Sequence, residues 1–265
     1  MTDVLFLGCG KMGSVVAKNL LEQKIGQISA IKRSDQNKIS GIKYFKNTAN
    51  LPKNYQADLV FLTIKPQDSL ETLKEFSQAK IFHKNTIFIS ILAGKKIIFF
   101  EKIFGQKAKI IRSMPNMPIE DSQGIFTFFA NKNVAASELK KLHKIFAKFG
   151  TAFEIKDEKL FAPATAIFGS GPAYIFLLQE IFTEIATKHK ISKTVAADLV
   201  EQLFLGSALM SRNSSLSFSA LRESVTSKAG TTDAALKVLQ NKSSLKNLFF
   251  DAIAAATKKS NDLSK

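Results

Sequence analysis

Residues 4 to 16 read VLFLGCGKMGSVV, an aliphatic run that breaks into three glycines before a helical pattern begins. Gly8, Gly10 and Gly13 stand at the spacing G-x-G-x-x-G, with Lys11 and Met12 between the second and third. A glycine at the first position permits a tight turn, one at the second lets a diphosphate approach the backbone, and one at the third lets helix and strand pack closely. The helix that opens there offers unpaired N–H groups and the positive end of its dipole to an anion. A strand before, a helix after and an N-terminal position are the contexts this motif needs, so the segment predicts a dinucleotide site. About 20 residues further on, an acid would hold an NAD ribose 2′-hydroxyl. Here SAIKRSDQ places Lys32, Arg33 and Ser34 at that turn, with Asp35 late and beside cations. A guanidinium next to a hydroxyl suits a 2′-phosphate, so NADP is predicted, with NAD the alternative; the other reading of Lys32 and Arg33 is as solvated turn residues.

Other chemistry-bearing residues gather where aliphatic runs end. FLTIKPQ (61–67) closes a strand pattern with Lys65 and Pro66, SILAGK (90–95) closes another with Ala93 and Gly94, and RSMPNMP (112–118) follows a third with Met114, Pro115 and Asn116. All three would lie at strand C-terminal ends, where open α/β sheets bind ligands. Read alone, KP and MPN are turns, because proline interrupts both helix and ladder. Near the other end of the chain, Gly230, Thr231 and Thr232 begin a helical pattern. They would offer N–H donors and hydroxyls to an anion, or cap the helix and nothing more. The stretch GSGP (169–172) invites a nucleophilic serine, yet that elbow needs G-x-S-x-G and Phe168 replaces its first glycine, which argues against a hydrolase. Pro172 reads instead as the first residue of a long helix capped by Ser170 or Gly171. Cys9 reads as a small filler, and one cysteine excludes an internal disulfide framework. His83, His143 and His189 lack metal-ligand spacing, so no metal is expected.

These turns need a sheet to carry them, and the first part of the chain supplies one. DVLFLG, QISAIKR, ADLVFLTIKP, NTIFISILAG, AKIIRSMPN, GIFTFFA and TAFEIK alternate with helical patterns. That alternation predicts a Rossmann-type, doubly wound α/β sheet. Beyond about residue 157 the strand signals stop, and GPAYIFLLQEIFTEIATKHK and its successors predict an all-α domain. The expected division is 1–157 and 158–265. A helix over 172–187, apolar on more than one face, has few partners among about 105 residues, so assembly into a dimer or larger homo-oligomer through the C-terminal helices is expected.

Composition narrows the function classes. The formal net charge is +16, but the lysines are spread through nearly every helical pattern rather than gathered in one stripe, so nucleic acid is not an expected partner. The charge favours anionic small molecules. No apolar run approaches the roughly 18 residues of a membrane span. Met1-Thr2-Asp3 leads straight into a strand pattern without a charged leader, which predicts a cytoplasmic protein without a membrane partner.

In order and spacing, GCGKMG, IKPQ, ILAGK, RSMPNMP, ATAIFGSGPAYIFLLQE (164–180) and LRESVTSKAGTTDAAL (221–236) resemble the pyrroline-5-carboxylate reductase family. The resemblance runs from about residue 4 to about residue 255. It implies reduction of a cyclic imine, 1-pyrroline-5-carboxylate, to L-proline with NAD(P)H. It makes Gly8 to Gly13 and Arg33-Ser34 the phosphate contacts, and places Lys65, Pro66, Ala93, Gly94, Met114, Pro115 and Asn116 beside the ribose and nicotinamide. Ser170 would line the active-site wall. Ser227, Lys228, Gly230, Thr231 and Thr232 would hold the substrate carboxylate, with Thr232 the catalytic hydroxyl near the imine nitrogen. The chain departs from the family motif Ser-Pro-Gly-Gly-Thr-Thr, since Lys228 replaces its proline and Ala229 a glycine that positive φ would favour. Lys228 would add a cation near the carboxylate. Two other functions compete: a β-hydroxyacid dehydrogenase, which would want a lysine on the long interdomain helix where 172–187 has none, and a non-catalytic NADP-binding oligomer whose loop has lost turnover.

Overall fold

The computed structural model describes residues 2–33, 37–64, 69–79, 81–241 and 245–263. Its strands are β1 (Asp3–Leu7), β2 (Gln27–Ile31), β3 (Lys43–Phe45), β4 (Ala57–Leu62), β5 (Phe82–Ser90), β6 (Lys109–Pro115), β7 (Gly124–Ala130) and β8 (Gly150–Glu154). They form one sheet in the order β3-β2-β1-β4-β5-β6-β7-β8. Every pairing is parallel except β6 with β7. DVLFL and ADLVFL form β1 and β4 because an unbroken aliphatic run can bury both faces of a central parallel strand.

Helices α1 (Lys11–Glu22), α2 (Ser69–Ser77), α3 (Ile97–Phe104) and α4 (Ala136–Phe146) cover the sheet. Two apolar cores result, one around Phe6, Leu20, Phe61, Phe126 and Phe146, the other around Leu5, Leu62, Leu73, Phe88 and Phe100. Phe6 and Phe61 stack across adjacent strands with ring centroids 4.8 Å apart. The strand order reverses at β1 and β4, and the crevice at their C-terminal ends is where such sheets take nucleotides.

Two compact units emerge: Met1–Ser170 together with Ala256–Lys265, and Gly171–Ala255. The packing therefore divides at 170/171 rather than at the expected 157/158. Residues 158–170 are helical in pattern, as α5 (Phe161–Ala164) and a π-turn, Thr165–Gly169. They stay with the sheet because Glu158 pairs with Arg112 of β6 at 3.2 Å and the fully buried Phe161 lies under that guanidinium.

The second unit is built from α6 (Gly171–Lys188), α7 (Lys193–Arg212), α8 (Phe218–Ser224), α9 (Thr231–Leu239) and most of α10 (Leu245–Asp262). Pro172 is the second residue of α6 rather than the first. Within one chain α6 buries none of its residues: Phe176 is 62% and Leu177 54% exposed, and the edge-to-face contact of Phe182 with Phe204 of α7 is its one ring pairing among the described residues. By length and composition the continuous helical stretch Glu158–Lys188 is long and apolar enough to cross a membrane, contrary to the expectation that no run approaches that length. Isolated polar residues such as Ser170, Gln179 and Glu180 interrupt the run without lowering its average far.

Candidate active site

At the crevice, Gly8 sits at φ +83°, a conformation that favours glycine, and its turn is held by Thr63, whose hydroxyl donates to the carbonyls of Gly8 (2.7 Å) and Leu7 (3.3 Å). Gly10 is the N-cap of α1, and a Cβ built on it meets no heavy atom within 4 Å. That open space lies over the N–H groups of the first helical turn. A Cβ on Gly13 would stand 2.7 Å from the Thr63 hydroxyl, so glycine is what lets α1 lie against β4. All three glycines thus have the shape a dinucleotide diphosphate needs. Lys11 is exposed at the first position of α1, and Met12 packs in part against the core. Cys9 is buried, its thiol 3.4 Å from the Ser14 hydroxyl.

A cleft of about 320 Å³ opens beside this turn. Lys32 and Arg33 line it at the end of β2, and Lys46, Asn47 and Thr48 line it from the end of β3. Lys32, Arg33 and Lys46 share this lining with Glu75 of α2, and three cations fit a 2′-phosphate better than a bare ribose diol. The sequence alone does not single out Thr63, Lys46, Asn47 or Thr48. β3 is only three residues, too short for an alternation signal, and Thr63 becomes visible only when β1 and β4 are seen to be neighbours. Ser34, Lys65 and Pro66 lie outside the described residues.

Further along the sheet edge, Gly94 adopts φ +78° and the Leu263 carbonyl would stand 2.5 Å from a Cβ there, so its glycine is required by packing of the chain's end as well as by the turn; Ala93 beside it is half-buried. Met114 reaches the π-turn, its Cγ 3.3 Å from a Cβ built at Gly169, and Pro115 is buried at the end of β6. Asn116 is buried too, and both ends of its amide are used: Nδ2 donates to the Phe168 carbonyl (3.0 Å) and Oδ1 accepts from the Ile125 N–H (2.7 Å). It joins β6, β7 and the π-turn, so its side chain fixes the site's wall. Ser170 is half-buried at the end of that turn, its N–H donating to the Thr165 carbonyl at 3.0 Å.

In the second unit a short loop precedes α9. Ala229 adopts φ +58°, so the left-handed turn is formed with alanine in the glycine-favouring position. Gly230, not Thr231 or Thr232, is the N-cap of α9, which has no side-chain cap. Its N–H donates to the Ser227 carbonyl at 3.0 Å, and a Cβ there would strike the Ser227 hydroxyl. The helix-cap reading of the two threonines is therefore overturned: they are the first two helical residues, and neither hydroxyl bonds another described residue. Ser227 and Lys228 are exposed on the loop. Asp233, missed by sequence, is the third residue of α9. The hydrogen bond from Lys237 (2.8 Å), with a smaller contribution from the Ala229 N–H, holds its carboxyl below the ordinary value. No cluster of metal-ligating side chains occurs among the described residues.

Comparison with known proteins gives two matching family models: residues 158–263 fit pyrroline-5-carboxylate reductase dimerisation, and residues 3–94 fit NADP oxidoreductase coenzyme F420-dependent. The pyrroline-5-carboxylate reductase of Pseudomonas aeruginosa is 31% identical, over 99% of this chain and 97% of that protein. Among solved structures, a pyrroline-5-carboxylate reductase from Coxiella burnetii superposes with a TM-score of 0.88 at 30% identity, covering 100% of this chain and 99% of that one. The Plasmodium falciparum pyrroline carboxylate reductase, solved with NADP bound, gives 0.87 at 29% identity, covering 100% and 98%.

Proposed function

The chain belongs to the pyrroline-5-carboxylate reductase family, and from that membership we propose how its residues divide the work of reducing 1-pyrroline-5-carboxylate to L-proline. This reduction, the last step of proline biosynthesis, is its function, NADP its cofactor and a homo-oligomer its working form. The observation that carries the residue assignment is the turn from Gly8 to Gly13, open over Gly10 and closed under Gly13, in a chain matched from end to end by its relatives.

Bound NADPH supplies the hydride. Gly8, Gly10, Lys11, Met12 and Gly13 present the helix N-terminus to its diphosphate, and Arg33, with Ser34, takes the 2′-phosphate; Lys32 and Lys46 add charge at the same cleft. Lys65, Pro66, Ala93, Gly94, Met114 and Pro115 border the ribose and nicotinamide, while Asn116 holds the wall that ends at Ser170. Thr231, Thr232 and the N–H groups opening α9 receive the substrate carboxylate, helped by Ser227, Gly230 and the Lys228 cation. Thr232 donates a hydrogen bond toward the imine nitrogen. Residues 1–157 are assigned to the cofactor and 158–265 to oligomerisation and substrate, a division supported by the family match that begins at 158. A cytoplasmic location belongs to the same proposal, because a multiply charged cofactor and substrate do not pass an apolar bilayer unaided.

The test is oxidation of NADPH by the purified protein with synthetic 1-pyrroline-5-carboxylate, with proline as product. Binding of NADPH without turnover would overturn the reading and leave a cofactor-binding oligomer in its place.

A further inference from the structure

We propose that buried Arg112 and half-buried Glu158 form a brace that sets the relative positions of the cofactor-side loop and the active-site wall, a positioning role that rests on the reductase reading above. Arg112 lies in β6, two residues before Met114, and is 2% exposed. Its Nη1 donates to Glu158 Oε1 at 3.2 Å, and its guanidinium carbon stands 4.1 Å from the centre of the Phe161 ring. Burial lowers the guanidinium's pKa, and Glu158 acts against that shift. The same Glu158 oxygen accepts the N–H of Ile97 at 2.9 Å, the first residue of α3. A carboxylate there satisfies an otherwise open donor and faces the positive end of the α3 dipole.

One ion pair thus touches three segments at once. Ile97 follows the Ala93-Gly94 loop, Arg112 precedes Met114-Pro115-Asn116, and Phe161 opens the helical turn that leads through Phe168 to Ser170. Asn116 closes the circuit from the other side by its bond to the Phe168 carbonyl. Stability alone gives weak reason for such an arrangement, since a buried ion pair is often matched or bettered by apolar side chains of similar volume. Apolar contacts are non-directional, whereas a carboxylate shared between a guanidinium and a helix N–H fixes distances and angles.

The apolar exchange is therefore the test. Arg112→Met alone should lower the Tm, because it leaves the half-buried Glu158 charge without its guanidinium. Arg112→Met with Glu158→Leu should recover most of that Tm, yet leave kcat/KM for the imine ~10- to 100-fold below the parent, the scale of a small misplacement of reacting groups. Amide hydrogen exchange, read without cofactor or substrate, should be faster at Ile97 and through 165–170 in the double variant. Recovery of Tm, kinetics and exchange together would overturn the proposal, because the pair would then be filling space only. Glu158→Gln keeps an acceptor and tests the same point should the double variant not fold: faster exchange at Ile97 with a lower kcat/KM is expected, and parental values in both would also overturn it. If the parent itself turns out not to reduce the imine, the function fails while the exchange data still decide the brace.

Discussion

In the sheet, Phe61 is fully buried and stacked on Phe6, whereas Phe176, on the first long helix of the second unit, stands 62% exposed. The two residues mark two ways of completing a core. Phe61 sits in a buried cluster drawn from β1, β4, β5, α1 and α4 of the same chain. Around Phe176 it supplies few, and Ile175, Leu177, Ile181, Phe182 and Ile185 share its exposure. A helix apolar all round wants covering, and the match of 158–263 to a pyrroline-5-carboxylate reductase dimerisation model supports homo-oligomerisation through this C-terminal region. The proposed cofactor site thus lies in a region that buries its own large apolar residues, and the proposed substrate loop in a region that leaves many of them exposed within one chain.

The strongest way to break this contrast is to disrupt each region's apolar packing in turn. Phe176→Asp should dissociate or unfold the protein, since an unpaired charge at a buried interface costs several kcal/mol. Sedimentation should then show monomer or aggregate. Phe61→Ala should cost about 3–5 kcal/mol through its cavity and leave assembly intact. A parent protein that sediments as a monomer would end the comparison.

Within the cofactor region, Arg33→Ala should raise KM for NADPH much more than for NADH, by an amount equivalent to about 1.5–3 kcal/mol for a charge-assisted pair. Lys46→Ala should act in the same direction and more weakly, because a flexible ammonium lacks the planar fork of arginine. Equal losses for both cofactors would remove the 2′-phosphate from this cleft.

Smaller effects belong to the substrate loop. Ala229→Gly should relieve a left-handed alanine, a conformation that costs about 1–2 kcal/mol, offset in part by the added flexibility of glycine in the unfolded chain. A slightly higher Tm with unchanged NADPH affinity is expected. Asp233 should make the loop weakly sensitive to acid. Its folded pKa lies below the ordinary value, so its contribution is complete above about pH 4 and fades as pH falls through the folded value. Asp233→Asn should abolish that dependence, read as the KM for the imine against pH.

Much of this architecture is legible in the amino-acid sequence. DVLFL and ADLVFL announce buried parallel strands, and G-x-G-x-x-G states its geometry in advance, since Gly8 takes a positive φ, Gly13 makes a close approach and Gly10 leaves open space. What stays hidden depends on partners distant in sequence. KYF at 43–45 is too short to read as a strand, and with it go Lys46, Asn47 and Thr48 at the cofactor cleft. Residues 158–170 carry helical periodicity, but a charge pair to β6 keeps them with the sheet. Without the family resemblance the TT pair reads first as a helix cap, because nothing local says that Gly230 takes the cap.

The division of labour is tested most directly at Thr232. With NADPH affinity and kinetics measured on the same preparation, Thr232→Ala should lower kcat/KM for 1-pyrroline-5-carboxylate by about 10- to 100-fold, the size of a lost transition-state hydrogen bond, and leave the Kd for NADPH unchanged. Thr232→Ser should keep most of the activity. Parental kinetics in the alanine variant, or a loss of NADPH affinity equal to the loss of turnover, would contradict the assignment of substrate to α9 and cofactor to the sheet.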